Sequence, residues 1–460
     1  MPAVEAVKAP ARPVRAEEVR LPAGYRIEPV AAGLNYPTAV TWDDDGNLLV
    51  AESTVPFGRV APTEIRVVRV DRDGTREMVA GPFPRLINDI ACYRGMLYVS
   101  RQGAISTAAD GCIRDLISGL PSWGLHENNS LAFGPDGRLY FGQGTVSNAG
   151  VVDLYALDRL RSTDRVTEHD IPGADVILTG QNYETEDMAT GERRLTGAFS
   201  SWGTPTSPGQ RIPGARPGRA ANGAIMSANP DGSDLRVYAW GFRNPFGLAF
   251  SRDGRLYVTN NGANRVPPRA ISGDPDTLWE VEEGVWYGWP DYYAGQPVTD
   301  PSFKPPDAPR HEFLIANHEE LLRGRPAPPA PVASFGLHAA PTKFDFSLDP
   351  DFGYPDRAFV AEFGPLLAPP ERLPPMPGIG HRVVVVDVGT GTVEDFAVNR
   401  SGLPGSLSDR GGLERPIQAR FGPDGSLYIV DFGVLELGKD GWVGEAGTGT
   451  IWRVKRVSSP

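Results

Sequence analysis

Residues 246–262 read FGLAFSRDGRLYVTNNG: an apolar run, a turn on Asp253-Gly254, and a second run of alternating aromatic, apolar and polar residues. This is the pattern of one β-hairpin, with Asp-Gly supplying the backbone freedom that a tight turn needs. The phrase recurs at 38–53 (TAVTWDDDGNLLVAES), 88–103 (NDIACYRGMLYVSRQG), 129–144 (NSLAFGPDGRLYFGQG), 342–364 and 417–433 (IQARFGPDGSLYIVDFG). Five copies carry the turn glycine, at 46, 95, 137, 254 and 425; the copy at 342–364 has a longer loop through Asp356.

Six hairpins at such intervals predict an all-β fold, a six-bladed β-propeller, with the long segments between them as insertions. Outer strands are expected in EIRVVRVDRDGTREMVA, CIRDLISGL, GAIMSANPDGSDLRVYAWG, HRVVVVDVGTGTVEDFAV and GTIWRVKR. The last of these, 449–456, is expected to close the ring against Tyr25 to Val30. Residues 1–20, rich in Pro, Ala and charge, read as a disordered arm, and 21–460 as a single propeller domain. Insertions are expected at about 150–222 and 263–331; the second carries aromatics at 279, 286, 287, 289, 292 and 293 and reads as a packed cap or rim.

The 460 residues include 54 Gly and 45 Pro, which favours turns over long helices. Lys and Arg number 45 against 57 Asp and Glu, a net charge of −12, which argues against nucleic acid or an anionic membrane as the main partner. No apolar window is long enough to span a bilayer. The N-terminus lacks the apolar core of a secretory signal, so the expectation is a cytosolic chain or one whose leader has been removed. Cys92 and Cys112 are expected on strands too far apart for a disulfide, as two free, mostly buried thiols.

Six positions past each turn glycine the strand ends in a polar residue: Glu52, Arg101, Gln143, Asn260 and Asp431, with Glu362 in the remaining copy. These are expected to ring one mouth of the central channel, where the site is placed. His126, in SWGLHENNSLAFGPDG, precedes the third hairpin as Arg243-Asn244 precede the fourth, so the two segments should meet at that mouth. A histidine there is suited to removing a proton near neutral pH. Lys343 and Arg415 read as the equivalent cations of the fifth and sixth copies. Like charges about 4 Å apart repel by roughly 4 kcal/mol at an effective dielectric near 20, a cost that a polyanionic ligand would turn into affinity.

The segments HENNSLAFGPDGRLYFGQG, GFRNPFGLAF, WYGWPDYY and RPIQARFGPDGSLYIVDFG resemble the glucose/sorbosone dehydrogenase family, with the closer look to its sorbosone-dehydrogenase-like branch. The resemblance implies a six-bladed propeller that binds pyrroloquinoline quinone (PQQ) and Ca2+ and oxidises a sugar or related alcohol or aldehyde. It implies His126 as the general base and Arg243 as the support for charge at the quinone carbonyl. Asn244, Lys343, Arg415, Gln143 and Asn260 would contact the cofactor. The carbonyls of Gly262 and Ala263, with Asp274 or Asp276 nearby, would hold the cation. It also implies an external electron acceptor, such as a c-type cytochrome or a quinone, and a periplasmic or secreted location.

Two departures from that family stand out. Its aldose members carry Glu-His-Gly where this chain has Asn260-Asn261-Gly262, and Ile417 replaces a second arginine after Arg415. Two alternatives remain open on sequence. One is a lactonase-like hydrolase in which Glu52, Asn260 and Asp431 hold a divalent ion; the other is a non-catalytic binding propeller.

Overall fold

The computed structural model describes residues 4, 5, 11–55, 63–109, 111–306, 308–366, 378–408, 410–438 and 441–457. The fold is all-β, mostly antiparallel strands with a few short helices, in a propeller-like arrangement. Every repeated phrase forms a hairpin, such as Pro37–Trp42 with Leu48–Glu52 and Pro245–Phe250 with Leu256–Asn260. The five turn glycines all have positive φ, between 71° and 79°, which explains why the turn is written with glycine.

Outer strands extend each hairpin into a meander. In the third, Ala224–Ala228 and Arg236–Trp240 follow Leu139–Gln143, although the first insertion separates them in sequence. Gly449–Arg456 inserts between Leu427–Asp431 and Tyr25–Leu34, pairing Tyr25 with Arg456 and Pro29 with Trp452, so the two chain ends close one sheet as expected. That sheet and the meander from Pro341 to Asn399 form one nine-stranded sheet, joined by a single parallel pairing of Lys343 with Gln418.

The first strand of each hairpin lies against that of the next, and Pro416–Phe421 lies against Pro37–Trp42. Backbone groups on these axial strands that have no ladder partner are satisfied by side chains from neighbouring strands. Gln418 Oε1 accepts from Val40 N at 2.7 Å, Arg420 donates to the carbonyls of Val40 and Ile90, and Asp89 accepts from Ser130 Oγ and Leu131 N.

The second insertion is not all cap, because Asp276–Val281 pairs with Leu256–Asn260 as the third strand of the fourth sheet and takes Trp279 into that core; the rest of it packs with the first insertion. Asp153 caps the helix Leu154–Ser162 by accepting from Tyr155 N and Ala156 N. Across the insertions, Thr179 N donates to Leu314 O at 2.9 Å and Ala316 N to Ile177 O at 2.6 Å. Phe199, Trp286, Trp289, Tyr293 and Leu314 share one apolar core. At its centre the buried Asp291 accepts from Leu314 N, Ile315 N, Arg269 and His318.

Two details differ from expectation. From residue 11 onward the N-terminal segment is held to the domain. Arg12 is 6% exposed and donates to Asp431, Thr448 O and Gly412 O, while Val19 pairs with Asn399. Cys112 is exposed and Cys92 is half-buried at the opposite edge of their four-stranded sheet, so both thiols are free but only one is sheltered. No described helix is long and apolar enough to cross a membrane.

Candidate functional site

His126 lies two residues before the strand Asn128–Phe133, on a segment that pairs with the chain leaving Leu139–Gln143: Leu125 N and His126 N donate to Val146 O and Thr145 O. Its Nδ1 lies 3.1 Å from Thr145 O and 3.2 Å from Thr145 Oγ1. The Thr145 hydroxyl donates its own hydrogen to Ser147 O, at 2.7 Å, so both oxygens facing Nδ1 are acceptors. The proton therefore sits on Nδ1 and the lone pair on Nε2. Burial, and next the Arg243 guanidinium, push His126 well below the usual histidine range, so the ring is neutral at physiological pH.

Arg243 meets the same loop. Its carbonyl accepts from Thr145 N at 3.0 Å, and its side chain donates from Nε to Asn148 Oδ1 at 3.1 Å and from Nη1 to Asn261 O at 3.4 Å. Asn244 Oδ1 accepts from Asn129 Nδ2, and its own amide donates to Asn261 Oδ1. Gly144 makes the convergence of these segments feasible: a Cβ there would lie 2.3 Å from His126 Cβ and 3.0 Å from Asn244 Oδ1. The sequence-predicted meeting of His126 with Arg243-Asn244 is thus present in the structure.

Three residues that the sequence reading passed over tie this corner together. Thr145 sets the histidine tautomer. Asn148 holds Arg243 and also accepts from Asn264 N, linking it to the turn at 262–264. Asp170, from the first insertion, accepts from Val146 N, Ser147 N and Ser147 Oγ, and burial pushes it up to about 7. The run Gly144-Thr-Val-Ser-Asn148, directly after a strand end, was a visible signal for the first two; a lone aspartate inside an insertion gave none.

Lys343 and Arg415 are not equivalent. Arg415 precedes its strand Pro416–Phe421, whereas Lys343 is the third residue of Pro341–Phe346 and reaches across the axis to Thr38 O at 2.9 Å and Asn88 O at 2.6 Å. Burial lowers Lys343 to about 8. Arg415 donates to Leu435 O and Phe363 O, and burial lowers it to about 10. Lys343 lies over the Phe246 ring and Arg415 over Phe363, two rings of one apolar cluster. Each cation has carboxylates in its surroundings, Asp274, Asp276 and Asp153 for Arg243 and Asp89 for Lys343, so their repulsion is better balanced than the sequence suggested.

The strand-end polar residues do not ring the channel as expected. Asn260 Oδ1 accepts the backbone N–H groups of Arg243 and Asn244, at 3.0 and 2.9 Å. Asp431 does the same for Arg415 and Glu414, and Glu52 for Asn35. Gln143 is fully buried and donates to Pro121 O, while Glu362 pairs with Arg382. Each clamps backbone or an outer strand of its own sheet, because N–H groups leading into a buried strand need an acceptor. Glu52, Asn260 and Asp431 are therefore engaged separately, and among the described residues no group of three His, Cys, Asp or Glu is placed to hold a metal ion.

Asp274 and Asp276 are buried beneath the 262–263 turn. Ala263 N donates to Asp274 at 2.6 Å, and Gly262 N and Ala340 N donate to Asp276 at 2.7 and 2.8 Å. Burial raises Asp274 to about 7 and Asp276 to about 6. The carbonyls of Gly262 and Ala263 belong to the same turn, so hard oxygen donors of two kinds, carbonyl and carboxylate, lie close together in the chain.

Similarity to known proteins follows the same segment. The Glucose / Sorbosone dehydrogenase family model matches residues 218–312, a stretch that contains Arg243, Asn244, Asn260, Gly262, Ala263, Asp274 and Asp276. The chain is 22% identical over 296 residues to quinoprotein glucose dehydrogenase B of Acinetobacter calcoaceticus, covering 57% of this chain and 51% of that protein. In fold it is similar to the holo form of the pyranose dehydrogenase PQQ domain from Coprinopsis cinerea, with a TM-score of 0.58 and 17% identity over 98% of this chain and 100% of that one. It is also similar to the PQQ-bound aldose sugar dehydrogenase from Streptomyces coelicolor, with a TM-score of 0.52 and 17% identity over 95% and 99% of the two chains. Across residues 218–312, which contain the Arg243 segment, the chain is similar in sequence to the glucose/sorbosone dehydrogenase family, and along nearly its whole length it is similar in fold to these PQQ-binding structures.

Proposed function

We propose that this protein is a PQQ-dependent dehydrogenase that oxidises a sugar or a related alcohol or aldehyde, passing electrons to an external acceptor. The observation that carries the reading is the neutral His126, its Nδ1 proton fixed on Thr145 and its Nε2 lone pair open, beside the buried Arg243. The cation set fits a polycarboxylate. Nη2 of Arg243, Nη2 of Arg415 and the third N–H of Lys343 have no acceptor among the described residues. When bound, the quinone supplies the hydride-accepting carbonyl.

The remaining work falls to the chain itself. His126 Nε2 takes the proton of the substrate hydroxyl, Arg243 stabilises negative charge that develops beside it, and Lys343 and Arg415 orient carboxylates. Gly262 and Ala263 are the residues that would hold Ca2+, through their carbonyls; Asp274 and Asp276 support the turn through its N–H groups. The contacts between successive axial strands support six blades, counting the nine-stranded sheet as two meanders.

Reconstitution tests the reading. Metal-stripped protein supplied with PQQ and Ca2+ should reduce an artificial dye with one or more members of a panel of aldoses, sorbosone and polyols. No turnover with any of them at saturating quinone would refute it.

A further inference from the structure

A cavity of about 660 Å³, whose lining does not include His126, is formed by strand ends 101–104, loop 118–123 and the first insertion. Its volume suits a small ligand. Its lining is basic in a chain whose net charge is −12: five arginines, at 85, 101, 165, 216 and 219, against Asp115 and Glu168. Two of these carboxylates' pairings are internal, Arg101 with Asp115 at 2.6 Å and Arg165 with Glu168 at 3.2 Å. Arg216 reaches Asp175 at 3.6 Å, while Arg85 and Arg219 have no carboxylate partner among the described residues.

Trp123 organises the positive charge. The Arg165 guanidinium carbon lies 4.0 Å and that of Arg85 5.1 Å from its ring centre, so two cations are gathered around one aromatic side chain. The Trp123 ring packs closely on the strand end at Gly103, where a Cβ would stand 3.3 Å from Cζ2. Gln102, 7% exposed, donates to Ser122 O and keeps its Oε1 without a partner among the described residues. The cavity therefore offers guanidinium donors for an anion together with amide and carboxylate acceptors. A sugar hydroxyl, which donates and accepts at once, requires that mixture.

We propose that this cavity binds an acidic sugar, a polyhydroxylated carboxylate of the uronate type, with its acid group between Arg85 and Arg165 and its hydroxyls on Gln102, Asp115 and Glu168. The proposal goes beyond the dehydrogenase reading and does not rest on it, because binding is measured on the cofactor-free chain.

The test is calorimetric titration at neutral pH and low ionic strength with D-glucuronate, D-galacturonate, D-glucose and inorganic phosphate. At least one uronate is expected to bind saturably, roughly tenfold or more tighter than glucose and than phosphate, since one charge-assisted contact and the hydroxyl contacts are each lost in turn. The variants Arg85→Ala, at an exposed position, and Arg165→Ala, at a half-buried one, should each weaken uronate binding at least about threefold, while His126→Ala leaves it intact. Glucose or phosphate binding as tightly as the uronates, a smaller loss in both arginine variants, or loss of binding in His126→Ala would overturn the assignment.

Discussion

Asn260 is where the structure changes the meaning of a residue most, and its replacement gives a sharp prediction. In Asn260→Ala the N–H groups of Arg243 and Asn244 both lose their acceptor, at 3.0 and 2.9 Å in the native chain. A buried donor left unsatisfied costs about 1–3 kcal/mol. Both amides are only part-buried, which places each toward the lower end, about 2–3 kcal/mol together. At about 1.4 kcal/mol per factor of ten, exchange protection of these two amides should fall roughly 30- to 150-fold. Hydrogen exchange read on peptides spanning 241–247, with guanidinium unfolding as the global measure, reports both the local and the overall change. Asn260→Asp should stay within about 1 kcal/mol of the native protein, because Asp431 already performs the same double acceptance for Glu414 and Arg415. Unchanged protection in Asn260→Ala would refute the clamp and return Asn260 to the channel wall.

Lys343 is lowered to about 8 by burial, so its ammonium is lost as pH rises through that value. PQQ affinity should accordingly decline above pH 8 in the native protein and show no such decline in Lys343→Met. Burial raises Asp274 and Asp276 to about 7 and 6, and Arg243 pulls both back down. A carboxyl raised in the folded state contributes stability that is present at low pH and lost as pH rises through its folded value. Arg243→Met should therefore lower the melting temperature more at pH 8 than at pH 5, and an equal drop at both would contradict the coupling. Burial pushes the Cys92 thiol to about 11 whereas Cys112 is exposed, so iodoacetamide at pH 8 should label Cys112 well before Cys92; equal rates would contradict it.

The hairpins were legible because each is written locally: an Asp-Gly or equivalent turn between two runs of strand residues fixes the element with no knowledge of its neighbours. The closing strand 449–456 was legible for a similar reason, since GTIWRVKR ends in alternating apolar and charged residues, a strand pattern in need of a partner beside Tyr25 to Val30. Side-chain direction was not. A polar residue at a strand end reads the same whether it faces the channel or turns back onto the backbone leading into its own sheet, and only the fold decides which.

Lys343 shows a second limit. Aligned on turn residues, it looks equivalent to Arg415, but the loop after its strand is longer, which offsets the count, while the register shift near the strand start is common to both hairpins. Alignment on the prolines that begin four of the axial strands, Pro37, Pro245, Pro341 and Pro416, would have placed Ala340 opposite Arg415 and Lys343 inside the strand. Asp170 and the five-arginine cavity depend on how an insertion folds back over the domain, which no local pattern encodes.

In the proposed enzyme a polyanionic quinone and the base His126 share one site. Its most direct test is equilibrium titration of PQQ, with and without Ca2+, into the native protein and His126→Ala, with dye-linked turnover measured on both. Saturable binding to both proteins is expected, with a turnover about 100- to 10,000-fold lower in the variant, the span that a positioned general base contributes. Absence of quinone binding at micromolar concentration, or full turnover in His126→Ala, would contradict it.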